Sequence, residues 1–158
     1  MTRKEILLMS DEELGKLCEI SFFKSSGNGG QKRNKCSTAV RVKLTIDRMS
    51  FVAEDCTERS QHQNRRNAFK KLKREIAYKW REIDELPTTL VHKSSSNSEY
   101  YLNVAAILDL ISYCKYDLKS AAEMLGVSHS KLDKELRLDP HLYQYITQIA
   151  KKSTVDNS

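Results

Sequence analysis

The spacing of hydrophobic and polar positions changes period along the chain. "AVRVKLTI" alternates strictly, with Val40, Val42, Leu44 and Ile46 on one side and Arg41, Lys43 and Thr45 on the other. That period of two predicts a half-buried strand. "DRM" then reads as a tight turn and "SFVAED" as a returning strand, while upstream "EISFFK" puts Ile20 and Phe22 on one face of an earlier strand. Ser10, with Glu13 three positions on, forms a capping box that opens a short helix over about residues 11–18. From Ser60 the period lengthens to three or four. Phe69, Leu72, Ile76, Trp80 and Ile83 make the apolar stripe of a long helix whose other faces carry Arg65, Arg66, Lys70, Lys71, Lys73 and Arg74. Ser60 and Gln63 supply a second capping box, and the helix is expected to stop before Pro87.

"PTTLVHKSSSNSE" is polar and serine-rich and reads as a flexible linker over 87–99. Helical patterning resumes in "VAAILDLISYC" and "DLKSAAEMLGVSHSKLDKEL", where Asp117 can cap one helix, Gly126 end it and Ser128 cap the next. "PHLYQYITQIAKK" is the last predicted helix. The expected organisation is a domain over 1–86, the linker, a small helical domain over 100–152 and a disordered tail over 153–158. The fold class expected is α+β: a small mixed β-sheet backed by a long basic helix, followed by an all-α unit resembling a helix-turn-helix.

Charge sharpens that division. The chain of 158 residues carries a net +6. Residues 1–86 hold 19 Lys+Arg against 13 Asp+Glu, and residues 87–158 hold 8 of each, so the whole excess lies in the first part. An anionic partner for that part follows. No apolar run is long enough to cross a bilayer, and acids interrupt "MTRKEILLMSDEELGK" where a secretory signal would be apolar. A cytoplasmic location is expected. Cys18, Cys36, Cys56 and Cys114 form no Cys-x-x-Cys pair, so they read as reduced, mostly buried residues rather than metal ligands, and no cofactor is expected.

Three of the five glycines fall in "SSGNGGQKRNKCST", followed at once by cations. Segments poor in side chains let backbone N–H groups approach an anion or a developing oxyanion. The spacing fits neither a P-loop nor a dinucleotide-binding loop. On composition alone it reads as a surface turn, and "NKCSTA" as one helical turn.

The wider stretch resembles the catalytic domain of class I peptide chain release factors. It has the Ser-Gly-x-Gly-Gly-Gln loop at Ser26 to Gln31, Asn34-Lys35, the strand at Thr38-Ala39-Val40-Arg41, and an Arg-Ser-Gln-His-x-Asn signature at Arg59 to Asn64. The match covers about residues 18–83. The resemblance implies ribosome-dependent hydrolysis of the ester in P-site peptidyl-tRNA, with Gly29, Gly30 and Gln31 catalytic and the peptidyl transferase centre's rRNA as partner. It also implies that Gln31 is a substrate for a methyltransferase. Ser26, Gly27, Lys32, Arg33, Asn34, Lys35, Arg59, Gln61, Arg65 and Arg66 are the implied RNA contacts. Lys32 stands where the main release factors have histidine, and Arg33 where they have a small apolar residue. Taken without the resemblance, Arg59, Gln61, Arg65 and Arg66 read equally as the solvated first turns of a helix, and His62 has no carboxylate partner by pattern.

The first predicted strand begins close to the start of the sequence, so the expectation is a short, codon-independent relative acting in ribosome rescue. Two other readings stay open. One is an RNA- or ribosome-binding protein without hydrolysis. The other is a DNA-binding regulator, since "SAAEMLGVSHSKLDKEL" resembles a helix-turn-helix. The neutral balance of residues 87–158 disfavours DNA and favours a helical appendage that docks on the ribosome, the catalytic domain or a partner.

Overall fold

The structure, a computed structural model, describes residues 1–24 and 38–156. The chain divides into two compact units, Met1–Trp80 and Arg81–Ser158. The boundary falls six residues before that expected. It also steepens the charge contrast: 18 Lys+Arg against 10 Asp+Glu give the first unit +8, and 9 against 11 give the second −2.

The first unit opens with two short helices, α1 (Arg3–Leu8) and α2 (Asp11–Leu17). Both start from full capping boxes, Thr2 with Glu5 and Ser10 with Glu13. Each box holds its glutamate below the usual carboxylate range, because backbone and side-chain donors of the cap favour the charged form. Helix α1 is an addition to the expected elements. Three strands follow, β1 (Glu19–Phe23), β2 (Ala39–Ile46) and β3 (Met49–Asp55), in the order β1-β2-β3. Both pairings are antiparallel, so the described sheet is not mixed as expected. A turn with Asp47 at φ 52 joins β2 to β3, and a hairpin so short can only join antiparallel strands.

Helix α3 (Gln61–Lys79) crosses one face of this sheet. Val40, Val42, Leu44, Phe51 and Ala53 meet Ala68, Phe69, Leu72 and Ile76 in a core that α1 and α2 extend with Ile6, Leu7 and Leu14. Strand β1 lies at the sheet's edge, which leaves Phe22 about half exposed (52%) despite sharing the inward face with Val40. The helix ends sooner than its stripe suggests. Trp80 turns to extended backbone, stacks on Phe51 (centroids 6.1 Å apart, planes 7°) and offers its carbonyl to Arg3 Nη1 at 2.7 Å. Ile83 therefore lies outside the helix and exposed. Lys73 is not a solvated outer charge either. Its ammonium donates to Met9 O at 2.5 Å, and burial lowers its pKa against the opposing pull of Asp11 and Glu13.

The second unit contains α4 (Tyr100–Tyr113), α5 (Leu118–Met124), α6 (His129–Arg137) and α7 (Pro140–Asp156). The caps fall where the sequence puts them. Asp117 accepts from Lys119 N–H, and Ser128 from Lys131 N–H. Gly126, at φ 67, closes α5 with bonds from Val127 N to Ala122 O and from Gly126 N to Glu123 O. The stretch 87–99 is tied down rather than free: Asn103 Nδ2 donates to Val91 O, and His92 Nδ1 lies 2.7 Å from Glu135 Oε1. Helix α7 continues past Lys152 to Asp156, with Thr154's hydroxyl bonded back to Ala150 O. No helix among the described residues is long and apolar enough to cross a membrane. Cys56 is exposed, against expectation, while Cys18 is half-buried and burial pushes its thiol up to about 11.

Candidate nucleic-acid interface

The glycine-rich segment links β1 to β2, and its catalytic candidates Gly29, Gly30 and Gln31 lie outside the described residues. So do Ser26, Gly27, Lys32, Arg33, Asn34 and Lys35. Its two anchoring ends are described. Phe23 pairs with Ala39 across the ladder, so the segment leaves and re-enters the sheet at adjacent strand ends. Arg41 braces that end, its guanidinium 4.9 Å from the Phe23 ring centroid and its Nε bonded to Glu54 across the next pair.

One buried side chain fixes the re-entry point. Asn64, fully buried in the first turns of α3, donates from Nδ2 to Thr38 O (2.8 Å) and Glu58 O (2.9 Å). Its Oδ1 accepts from Glu58 N–H (2.8 Å). Thr38's hydroxyl adds a bond to Glu58 O at 3.1 Å. The residue just after the glycine segment is thus locked to the turn that carries Arg59. Only an amide has two donors and an acceptor in this arrangement, and the three partners fix which way it points. Asn64 belongs to the sequence signature, but nothing in the sequence marked it as the linchpin rather than a surface residue.

A second cluster lies beside it. Asp55, at the end of β3, is buried and accepts from Lys71 Nζ (2.7 Å), Asn67 Nδ2 (3.1 Å) and Thr57 Oγ1 (2.9 Å). Burial alone would raise its pKa; the bonds from Lys71, Asn67 and Thr57, with the charge of Lys71, outweigh that and hold it below the usual value. Lys71 also reaches Glu54 O at 3.2 Å. Lys71 is therefore a structural cation, not a free basic residue of the helix face.

The remaining candidates sit on the outer side of this scaffold. Ser60 caps α3 by accepting from Gln63 N–H; Gln63's own amide turns to Asn67 instead, so half of the expected capping box forms. Arg59, Gln61, Arg65 and Arg66 are all exposed. Arg59, Gln61 and Arg66 form no side-chain hydrogen bond or ion pair among the described residues. Arg65 is partly committed: its guanidinium lies 5.6 Å from the Phe69 centroid, and a Cβ added at Gly15 would come within 3.1 Å of its Nη2. Exposed guanidiniums and an amide on a rigid helix start are suited to phosphate and ribose contacts.

The RF-1 domain family model matches residues 13–100, more than half of the chain. This chain belongs to the RF-1 domain family. Among its relatives is peptide chain release factor 1 of Xylella fastidiosa, 47% identical over 58 residues, which are 37% of this chain and 16% of the relative. Another is peptide chain release factor 2 of Thermotoga petrophila, 40% identical over 84 residues, 50% of this chain and 22% of the relative. The chain thus covers less than a quarter of either relative's length. No solved structure matches it. The RF-1 domain match begins within α2 and takes in the whole sheet and α3, so the Asn64 lock lies inside the family segment.

Proposed function

We propose that this RF-1 domain protein hydrolyses the ester between a nascent peptide and the terminal ribose of P-site tRNA on the ribosome, without reading a stop codon. Gly29-Gly30-Gln31 within a family segment carries the reading, supported by the Asn64 lock that fixes where that segment re-enters the fold. In the reaction, water oxygen adds to the ester carbonyl carbon. The oxyanion accepts a hydrogen bond from the Gln31 backbone N–H, the bond to the ribose oxygen breaks, and that oxygen takes the proton lost by water. Electrostatic stabilisation of this kind needs no nucleophilic side chain. The Gln31 side chain shapes the pocket and is the group a methyltransferase would modify. Lys32, Arg33, Asn34 and Lys35, with Ser26 and Gly27, serve as RNA contacts near the reacting centre, and Arg59, Gln61, Arg65 and Arg66 as contacts along the helix.

Codon independence is favoured by the second unit's net −2, because a module that reads mRNA gains from a basic surface. The same balance disfavours a helix-turn-helix DNA reader and favours docking through the helical unit. The test is peptide release from ribosomes stalled with and without a stop codon in the A site. Equal release is expected on both. Gly30→Ala is expected to abolish release with ribosome binding retained, since an added methyl restricts the backbone without removing a phosphate contact. Normal release by Gly30→Ala, or release strictly dependent on a stop codon, would overturn the corresponding half of the proposal.

A further inference from the structure

A cleft of about 380 Å³ opens between the first turns of α2 and α3, lined by Asp11, Glu12, His62, Arg65, Arg66 and Phe69. Its composition is unusual for a unit of net +8. A surface that held RNA by phosphates alone would gain nothing from two carboxylates beside two arginines. Helix α2 explains one of its three first-turn acids outright, since Glu13 closes the capping box. Asp11 and Glu12 face the cleft instead. None of Asp11, Glu12, His62 and Arg66 forms a side-chain hydrogen bond or an ion pair among the described residues. Opposite charges thus share one cleft without pairing directly. Asp11 also acts at a distance on the buried Lys73, while Glu12, His62 and Arg66 remain available to a ligand carrying donors at one end and negative charge at the other. Arg65 is the fixed element between them, its guanidinium held over the Phe69 ring, with Gly15 leaving room for it.

Resting on the reading of this unit as RNA-facing, we infer that the cleft takes an unstacked guanine of single-stranded or looped RNA. Guanine is the one standard base whose pairing edge presents two adjacent donors, N1–H and N2–H₂. A carboxylate presents two adjacent acceptors and matches that edge. Adenine, cytosine and uracil each place an acceptor against one of the carboxylate oxygens. Arg65 offers a guanidinium plane on which the base stacks, a platform that single-stranded RNA recognition uses. Arg66 and His62 stand with the acids and Arg65 around the same cleft and take the phosphate. The volume is within the range of small-ligand clefts and suits one nucleotide.

The full chain is titrated with fluorescein-labelled single-stranded RNA hexamers that differ at one central base: guanine, inosine or adenine. Guanine is expected to bind roughly ten- to hundredfold tighter than adenine, with inosine, which lacks the N2 amino group, between them. Glu12→Gln combined with Asp11→Asn is expected to erase the difference between guanine and adenine, and Arg66→Ala to weaken all three hexamers alike. Unlabelled GMP as competitor separates the sources. Weak competition assigns the base to RNA, and competition as strong as the guanine hexamer's assigns it to a free nucleotide; either retains the guanine site. Equal affinity for guanine and adenine in the wild-type chain would overturn the inference, as would a preference that survives the double substitution. Peptide release is a separate readout. Release without guanine preference overturns the cleft alone, and guanine preference without release overturns the proposed hydrolysis alone.

Discussion

Replacing Asn64 by alanine should be among the most damaging single changes in the first unit. The side chain is fully buried and satisfies three backbone groups: Thr38 O, Glu58 O and Glu58 N–H. Leaving a buried polar group unpaired costs about 1–3 kcal/mol. Glu58 is exposed and Thr38 half-buried, so water recovers part of that cost, and Thr38's hydroxyl still reaches Glu58 O. A total of roughly 2–4 kcal/mol remains, which for a unit of this size corresponds to a fall in melting temperature of about 10–25 °C. Trp80 is the chain's one tryptophan and stacks on Phe51 inside this unit, so urea unfolding followed by its fluorescence reports the unit directly. Asn64→Asp sharpens the test. It keeps the acceptor for Glu58 N–H but turns its second oxygen toward two carbonyls. Its folded-state pKa should therefore rise above the ordinary aspartate value, and stability should recover as pH falls through that raised value and the acid regains a proton to donate. An Asn64→Ala loss below about 0.5 kcal/mol, the range of an ordinary surface substitution, would refute the lock. So would an Asn64→Asp variant with the wild type's pH profile.

The other predictions concern charge and backbone. Asp55 titrates below its ordinary value in the fold, so its contribution is present above about pH 4 and lost as pH falls through the folded value. Asp55→Asn should therefore be less stable than wild type at pH 7, and urea midpoints of the two should converge toward pH 2; a constant gap would mean the carboxylate's charge is irrelevant. Gly126→Ala should destabilise the second unit by about 1–2 kcal/mol, from strain at φ 67 alone, because no atom lies within 4 Å of the added Cβ. Circular dichroism melts check it, and an unchanged melt would show that the α5–α6 turn relaxes.

How much of this was legible in the sequence depends on range. Strand β2 and the cap residues Ser10, Ser60, Asp117, Ser128 and Gly126 were readable because alternation and capping are local. The end of α3 was not. The apolar stripe runs on to Ile83, but Phe51 and Arg3, distant in sequence, capture the Trp80 ring and carbonyl and stop the helix. The stretch 87–99 has the composition of a linker, but bonds to α4 and α6, together with turns and the Lys93–Glu99 pair inside the stretch, hold it in place. Likewise Lys71 and Lys73 look like the basic face of a helix until Asp55 and the Met9 carbonyl claim them. In each case the deciding contacts lie well apart in sequence and most are polar, and periodicity carries no information about them.

The signature from Arg59 to Asn64 shows why its residue types fall at that spacing. Ser60 caps α3. Four residues on, about one helical turn, Asn64 points inward to Thr38 and Glu58. Gln61 and His62 fall on the turn between them and stay exposed, with Arg65 and Arg66 one turn further on the same side. A helix start so built holds three things in one rigid frame: the re-entry point of the glycine segment, the turn bearing Arg59, and a row of outward donors. Shifting Asn64 by one position would rotate it about 100° and release the segment's end while leaving every charge in place. The turn bearing Arg59 and the re-entry point at Thr38 are therefore coupled mainly through one amide, with the Thr38 hydroxyl as a second, weaker tie. Under the proposed function, a variant that keeps all the arginines but loses Asn64 should lose more peptide release than ribosome binding, because the tie between Thr38 and the Glu58 turn goes while the charges stay. Release and binding assays on the same variant check this, and equal losses in both would refute it.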